Sequence, residues 1–341
     1  EVFQKLRSEI EEHLPLLQDI ASAIARLDAI TSLSTIAHDE GYVAPEIVET
    51  PILDVIDGLH PVVASGHAKA NFTPNDIKLG GDDARLGVIT GPNMAGKSTY
   101  IRQAALITIL AQIGSFVPAQ SARVGIADRI FTRVGAADDL ARGQSTFMVE
   151  MTETANILNN ATERSLVILD EVGRGTSTLD GVSLAWAIAE HLVTSSKARA
   201  LFATHYHELT DLEDRFEGAV CNLNVSVKEW QDEIVFLHKI VPGGTDKAYG
   251  IHVARLAGIP EGVLDRAKSI LAHLESEHAG SQHVPDAPTA PPHDETEGGQ
   301  QLDLFGNAYD GIDRKLRALS VDETTPIDAL LLLRELKRLL P

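Results

Sequence analysis

Apolar positions along this chain fall into helical and strand-like patterns. Over residues 1 to about 38, Leu17, Ile20, Ile24, Leu27 and Thr31 recur at steps of 3, 4, 3 and 4, a seam that predicts a long helix packed on another helix. Leu86-Gly87-Val88-Ile89 is a short apolar run of the kind that forms a buried strand, and Thr99 to Ile113 then turns helical, with Ile101, Ala105, Ile109 and Ile113 along it. Two more apolar runs, Leu166 to Leu169 and "ARALFAT" ending at Thr204, predict further buried strands. Ala248 to Leu274 reads as two helices broken at Gly258-Ile259-Pro260. Strands alternating with helices predict an α/β fold with a central sheet flanked by helices.

These patterns divide the chain into four zones. Residues 1–40 are the end of a helical domain, and 41–274 are the α/β domain with its terminal helix pair. Residues 275–300 include "HVPDAPTAPPHDETEGG", rich in Pro and acid and poor in large apolar groups, which predicts a solvated linker. Residues 301–341 end in "PIDALLLLRELKRLL", where Pro326 opens a strongly amphipathic helix. The seam is already in mid-pattern at Glu1, and no initiator Met precedes it, so the sequence is expected to be the C-terminal piece of a longer chain.

Composition narrows the classes. At 341 residues and 44% hydrophobic content the chain can bury a sizeable core. No uninterrupted apolar run of about 18 residues occurs and no basic-then-apolar leader opens the chain, so no membrane contact is expected. The single cysteine, Cys221, suits a reducing cytoplasm and is expected to be a buried small residue rather than a catalytic thiol. A net charge of −20 argues against a chain that binds polyanions over its whole surface.

The chemistry concentrates at strand ends. Gly91-Pro92-Asn93-Met94-Ala95-Gly96-Lys97-Ser98 fits G-x-x-x-x-G-K-[ST], between a strand and a helix as a phosphate loop requires. Gly91 and Gly96 can take backbone angles closed to other residues, Lys97 can reach the β- and γ-phosphates of a nucleotide, and the Ser98 hydroxyl can ligate Mg²⁺. The helix after the loop would point its N-terminus at the phosphates. The run Leu166 to Leu169 ends in Asp170 and Glu171; the first is placed to hold Mg²⁺ and the second to orient or deprotonate water. Two carboxylates capping an all-apolar strand are costly unless a ligand uses them. His205 ends the strand after it, which in a parallel sheet places it near the γ-phosphate.

"TGPNMAGKSTYIRQ", "DRIFTRVGAADDLARGQSTFMVEMTETANIL", "LDEVGRGTSTLDG" and "FATHYHEL" together resemble the ATPase domain of the MutS family of bacterial DNA mismatch-repair proteins, and the likeness extends over about residues 1–274. The resemblance implies an ABC-type ATPase acting as a homodimer, each nucleotide sandwiched between the phosphate loop of one subunit and a signature segment of the other. It assigns Lys97, Ser98 and Thr99 to phosphate and Mg²⁺, Asn93 to the γ-phosphate, Asp170 and Glu171 to metal and water, and His205 to the switch histidine. Ser145 matches the signature serine that reaches the partner's nucleotide, and Phe72 the aromatic that stacks on adenine, with core packing as the alternative. Ala95 departs from the glycine expected there and should be tolerated at a negative φ. Residues 1–40 resemble the returning helix of the family's lever, and the DNA clamp and mismatch reader of the family are missing from the sequence. Mismatched duplex DNA and a MutL-like repair protein are the further partners implied.

Three features leave alternatives. The helices of 248–274 could be a DNA-reading helix-turn-helix, but few basic residues line the second, which favours dimer packing as in the family. Gln301 to Phe305, "QLDLF", resembles the peptide by which bacterial repair proteins dock on the replication sliding clamp; the alternative is a linker end resting on the last helix. That last helix resembles the family's oligomerisation element, which would allow a tetramer. A transporter-type ABC ATPase would need LSGGQ where this chain has "RGQSTFMVEM", and a non-enzymatic ATP-binding adaptor would have no use for Glu171.

Overall fold

The computed structural model describes residues 1–278 apart from 93, 136–145, 231–232 and 245–248. In chain order the elements are α1 (Val2–Glu40), β1 (Glu46–Val48), β2 (Leu53–Gly58), β3 (Asn75–Leu79), β4 (Leu86–Thr90), α2 (Lys97–Gln112), β5 (Ser121–Gly125), β6 (Ile130–Arg133) and α3 (Thr146–Asn160). There follow β7 (Leu166–Asp170), α4 (Thr178–His191), β8 (Arg199–Ala203), α5 (Leu212–Arg215), β9 (Val220–Trp230), β10 (Glu233–Pro242), α6 (Gly250–Leu256) and α7 (Glu261–His278).

Two sheets form. The smaller has the order β1-β5-β2-β3, and the larger β10-β9-β4-β8-β7-β6, parallel throughout except for the antiparallel β9–β10 pair. β4, β7 and β8 are buried at every position because both faces of the larger sheet are covered. On one side Leu53, Val55, Ile77, Ile101, Ile107, Ile89, Ile168 and Leu201 join the smaller sheet, α2 and the larger sheet in one apolar cluster. On the other, Val88, Val167, Leu169 and Phe202 pack against Ile157 of α3 and Ala185, Ile188 and Ala189 of α4.

α2 shows where simple spacing misleads. Of its expected stripe, Ile101 and Ala105 are buried, whereas Ile109 and Ile113 are 41% and 59% exposed. Steps of four drift about 40° around a 3.6-residue helix, so the buried face passes instead to Ala104, Ile107, Thr108 and Ala111.

A cation bolts the sheets together. Arg199 on β8 is 1% exposed; its Nη1 donates to the carbonyls of Ile52 (2.7 Å) and Gly125 (3.1 Å) and its Nη2 to that of Arg164 (2.8 Å). Burial lowers its pKa to about 10. Replacing Arg199 by Met should therefore strip three carbonyls of their donor and cost about 3 kcal/mol, which for a chain of this size lowers Tm by roughly 4–5 °C. Calorimetry of the variant checks this.

α1 is capped by Gly41, whose φ of 64° lets its N–H reach the Ala37 and His38 carbonyls. Its base is tied to the domain at few points. Tyr42 N–H donates to Ala37 O (2.8 Å), Val43 and Val117 exchange backbone bonds, and Lys69 Nζ donates to Glu40 O while lying 4.0 Å from the Glu40 carboxylate. A cavity of about 480 Å³ opens beside this joint, lined by Ile30, Ala37, Tyr42 and Phe116 among others. The predicted seam is exposed: Leu17, Ile20, Ile24 and Leu27 are 46–66% accessible, and Ala37 is the one buried residue of the helix. An 18-residue window of α1 reaches a mean hydropathy of 1.3, long and apolar enough by length and composition to cross a membrane. Ala residues and sparse charges raise that mean without forming an uninterrupted apolar run.

Candidate functional site

The loop between β4 and α2 is shaped by its glycines. Gly91 and Gly96 have φ of 134° and 109°, and Met94 takes φ 65°. Ala95 is fully buried and keeps out of the left-handed region, so Met94, 82% exposed, absorbs the turn instead. Ala95 O lies 2.8 Å from Nδ1 of His238. Lys97 is 4% exposed, and its Nζ donates to Gly91 O and, at 3.1 Å, to Pro92 O. Burial lowers its pKa to about 8, against the opposing pull of Glu171 and Asp170. Its ammonium is thus folded back on the loop's own carbonyls at the N-terminus of α2, where an anion would be a better partner.

Strand order brings the rest together. β8 lies between β4 and β7, so the C-terminal ends of all three parallel strands open at one edge, where an α/β sheet places its ligand. Glu171 N–H donates to Ala203 O (2.9 Å) and Thr204 N–H to Ile89 O (3.0 Å), which fixes the two ends in register. Asp170, 7% exposed, accepts a hydrogen bond from Ser98 and has Arg102 at 3.9 Å; its Oδ1 has no hydrogen-bond partner among the described residues. Burial raises its pKa. Glu171 stands at φ 55° and accepts the His205 Nε2 hydrogen at 2.6 Å while pairing with Arg174. The His205 hydrogen bond, opposed by burial and aided by Arg174, holds its carboxyl at about 2. These groups line a cavity of about 240 Å³ with Thr204 and Tyr206.

Other expected residues stand as follows. Thr99 is half-buried in the first turn of α2. Phe72 is half-buried and outside both apolar clusters, at the end of a 3₁₀ turn over Gly66–Asn71. Asn93, Ser145 and Gln301 to Phe305 lie outside the described residues, as does the C-terminal helix. Cys221 is half-buried and burial raises its pKa to about 11, which leaves little thiolate at neutral pH for nucleophilic work.

Sequence reading missed His238, Arg174 and Glu150. His238 sits at φ 54° in a bulge of β10 between Phe236 and Ile240, and the same bulge accepts from Thr73 Oγ1 at Leu237 O (3.0 Å) and from Asn75 Nδ2 at His238 O (2.9 Å). It therefore joins the Phe72 segment to the loop between β4 and α2. Nothing local in "FLHKI" signals this. Arg174 had a signal, three residues after Glu171 in "EVGRG".

A family model described as MutS domain V matches residues 87–275, more than half of the chain, including Gly91 to Ser98, Asp170, Glu171 and His205 but not Phe72. The chain belongs to the MutS family. Curated relatives named DNA mismatch repair protein MutS include that of Rhodopirellula baltica, 55% identical over 98% of this chain, and that of Protochlamydia amoebophila, 59% identical over 81%. The MutS of Acetivibrio thermocellus is 49% identical over 99%. The chain spans 38%, 32% and 39% of the length of these three relatives.

Proposed function

We propose that this MutS-family chain is the Mg²⁺-dependent ATP-binding and hydrolysing module of a DNA mismatch-repair protein, and that its nucleotide state biases how the longer protein holds mismatched duplex DNA. The observation that carries the reading is the Glu171–His205 pair, with Asp170 and Lys97 at the same sheet edge.

The residues fit a magnesium ion. Asp170 has a buried oxygen with no partner among the described residues, and Ser98 already donates its hydroxyl to the same carboxylate. No group of three or more His, Cys, Asp or Glu able to hold a metal occurs among the described residues, which suits an ion that keeps waters and phosphates as its other ligands. Bound there, Mg²⁺ supplies positive charge against the phosphate oxygens. Lys97 and the loop amides hold the phosphates, Phe72 offers a face to the base, and Asn93 contacts the γ-phosphate. Glu171 accepts a hydrogen bond from the attacking water and His205 keeps that carboxylate turned toward it. A carboxyl held near 2 is a weak proton acceptor, so orientation is its larger contribution.

Coupling runs through the base of α1, where Lys69, three residues before Phe72, grips the last turn of the helix. The exposed seam of α1 packs on another helix of the longer protein. The module works in the cytoplasm as a homodimer, with tetramers through the C-terminal helix, and a MutL-like protein reads its state.

The assembly is tested by mixing. If Ser145 completes a neighbour's site, Ser145→Ala and Lys97→Ala chains, each inactive alone, should regain turnover in the mixture, because each heterodimer holds one intact composite site. A mixture no more active than its components would count against the shared site. The tail is tested separately. Truncating Leu304 and Phe305 to Ala should weaken binding to a bacterial sliding clamp about a hundredfold in a fluorescence titration, with ATP turnover unchanged. Equal clamp binding by both chains would return Gln301 to Phe305 to an ordinary linker end.

A further inference from the structure

The loop that presents Glu171 is held from the side by a residue no motif marks. Glu150, 6% exposed in the second turn of α3, is bound at both oxygens: Oε1 accepts the Gly173 N–H at 2.5 Å, and Oε2 accepts from Arg133 Nη2 at 3.1 Å. Arg133, 5% exposed at the end of β6, also donates to Val134 O (2.7 Å) and lies 3.3 Å from Glu153. Gly173 O in turn accepts the Tyr206 hydroxyl at 2.9 Å, next to His205. One residue, Gly173, is thus tied to α3 through its N–H and to the His205 segment through its carbonyl.

That loop needs holding. Gly173 has φ 93° and Glu171 φ 55°, the latter a conformation that costs a non-glycine residue of order 1 kcal/mol or more and persists only where surroundings over-determine it. A second contact runs parallel to the first, since a Cβ added at Gly175 would come 3.1 Å from the Cβ of Phe147 in the first turn of α3. Any displacement of the start of α3 is therefore delivered to the segment 171–175.

We propose that Glu150 is a positioning residue for the hydrolytic step: through the Gly173 amide it fixes the loop from which Glu171 reaches His205, and it makes that loop follow the first turns of α3. The inference rests on the ATPase reading above. It predicts a specific asymmetry between two variants of similar volume. Glu150→Gln keeps an acceptor for the Gly173 N–H, whereas Glu150→Met removes it. The Met chain should lose tenfold or more in kcat for ATP with KM within about twofold, and the Gln chain should stay within about threefold of the parent in both.

Hydrogen exchange of the nucleotide-free full chain reads the same tie without turnover. Backbone exchange over 171–175 should be about tenfold faster in the Met chain than in the parent or the Gln chain. If the Met variant fails to fold because Arg133 is left facing less charge, the Arg133→Met/Glu150→Met double variant removes the stranded cation and takes its place in both measurements. Equal exchange in the Met and Gln chains overturns the proposal, as do kcat values that fall together or a loss carried by KM. A parent chain that hydrolyses no ATP overturns the ATPase reading instead, and the exchange comparison then still decides whether Glu150 holds the loop.

Discussion

Replacing Glu171 by glutamine should leave ATP bound and stop its turnover. The side chain keeps its size and one oxygen, and among the described residues its hydrogen bonds and ion pairs go to His205 and Arg174 rather than to the loop from Gly91 to Ser98 that would carry ground-state affinity. What it loses is the carboxylate that accepts the His205 hydrogen bond at 2.6 Å and pairs with Arg174, so the charge that orients water disappears while the cradle stays. Losing one general base or water-orienting group lowers turnover by about 10²–10⁴-fold. A phosphate-release assay beside a fluorescent-nucleotide titration separates the two quantities. A variant that loses affinity in step with rate would remove Glu171 from the hydrolytic role.

Lys97→Ala should fail one step earlier. The ammonium is buried, folded onto the Gly91 and Pro92 carbonyls, and held at a pKa of about 8 by the loss of water around it. Phosphate oxygens would give it the charged partner that these carbonyls only imitate, so removing it takes away a contact made in the ground state and the transition state alike. We expect ATP affinity to fall about a hundredfold or more, on the scale of about 3 kcal/mol for a charge-assisted contact in a dry site. Unchanged affinity with lost turnover would exchange the roles of Lys97 and Glu171.

The loop from Gly91 to Ser98 and its flanking strand and helix were legible because their information is local. Gly91, Gly96, Lys97 and Ser98 stand within one turn between a strand and a helix, and β4 and β7 begin where their apolar runs begin. His205 could be placed because a parallel sheet collects strand ends at one edge. The residues that escaped act across the fold. Glu150 reads in "MVEM" as one more polar position of a helix, and its burial follows only from the packing of α3 on β6 and the loop after β7. His238 depends on a bulge in β10 that brings it to Ala95, some 140 positions earlier, which no periodicity encodes. The small sheet escaped for a different reason: its strands are short and only half apolar, as in the alternating burial of β3. The seam of α1 was visible, but what it packs against in the proposed longer chain was not.

The sparse joint at the foot of α1 gives the molecule mechanical gearing. A helix of 39 residues is about 58 Å long, and a rotation of only about 5° at Gly41 would carry its far end through about 5 Å. A small rotation driven at the segment around Lys69 would thus reach Val2 as a displacement of several ångströms.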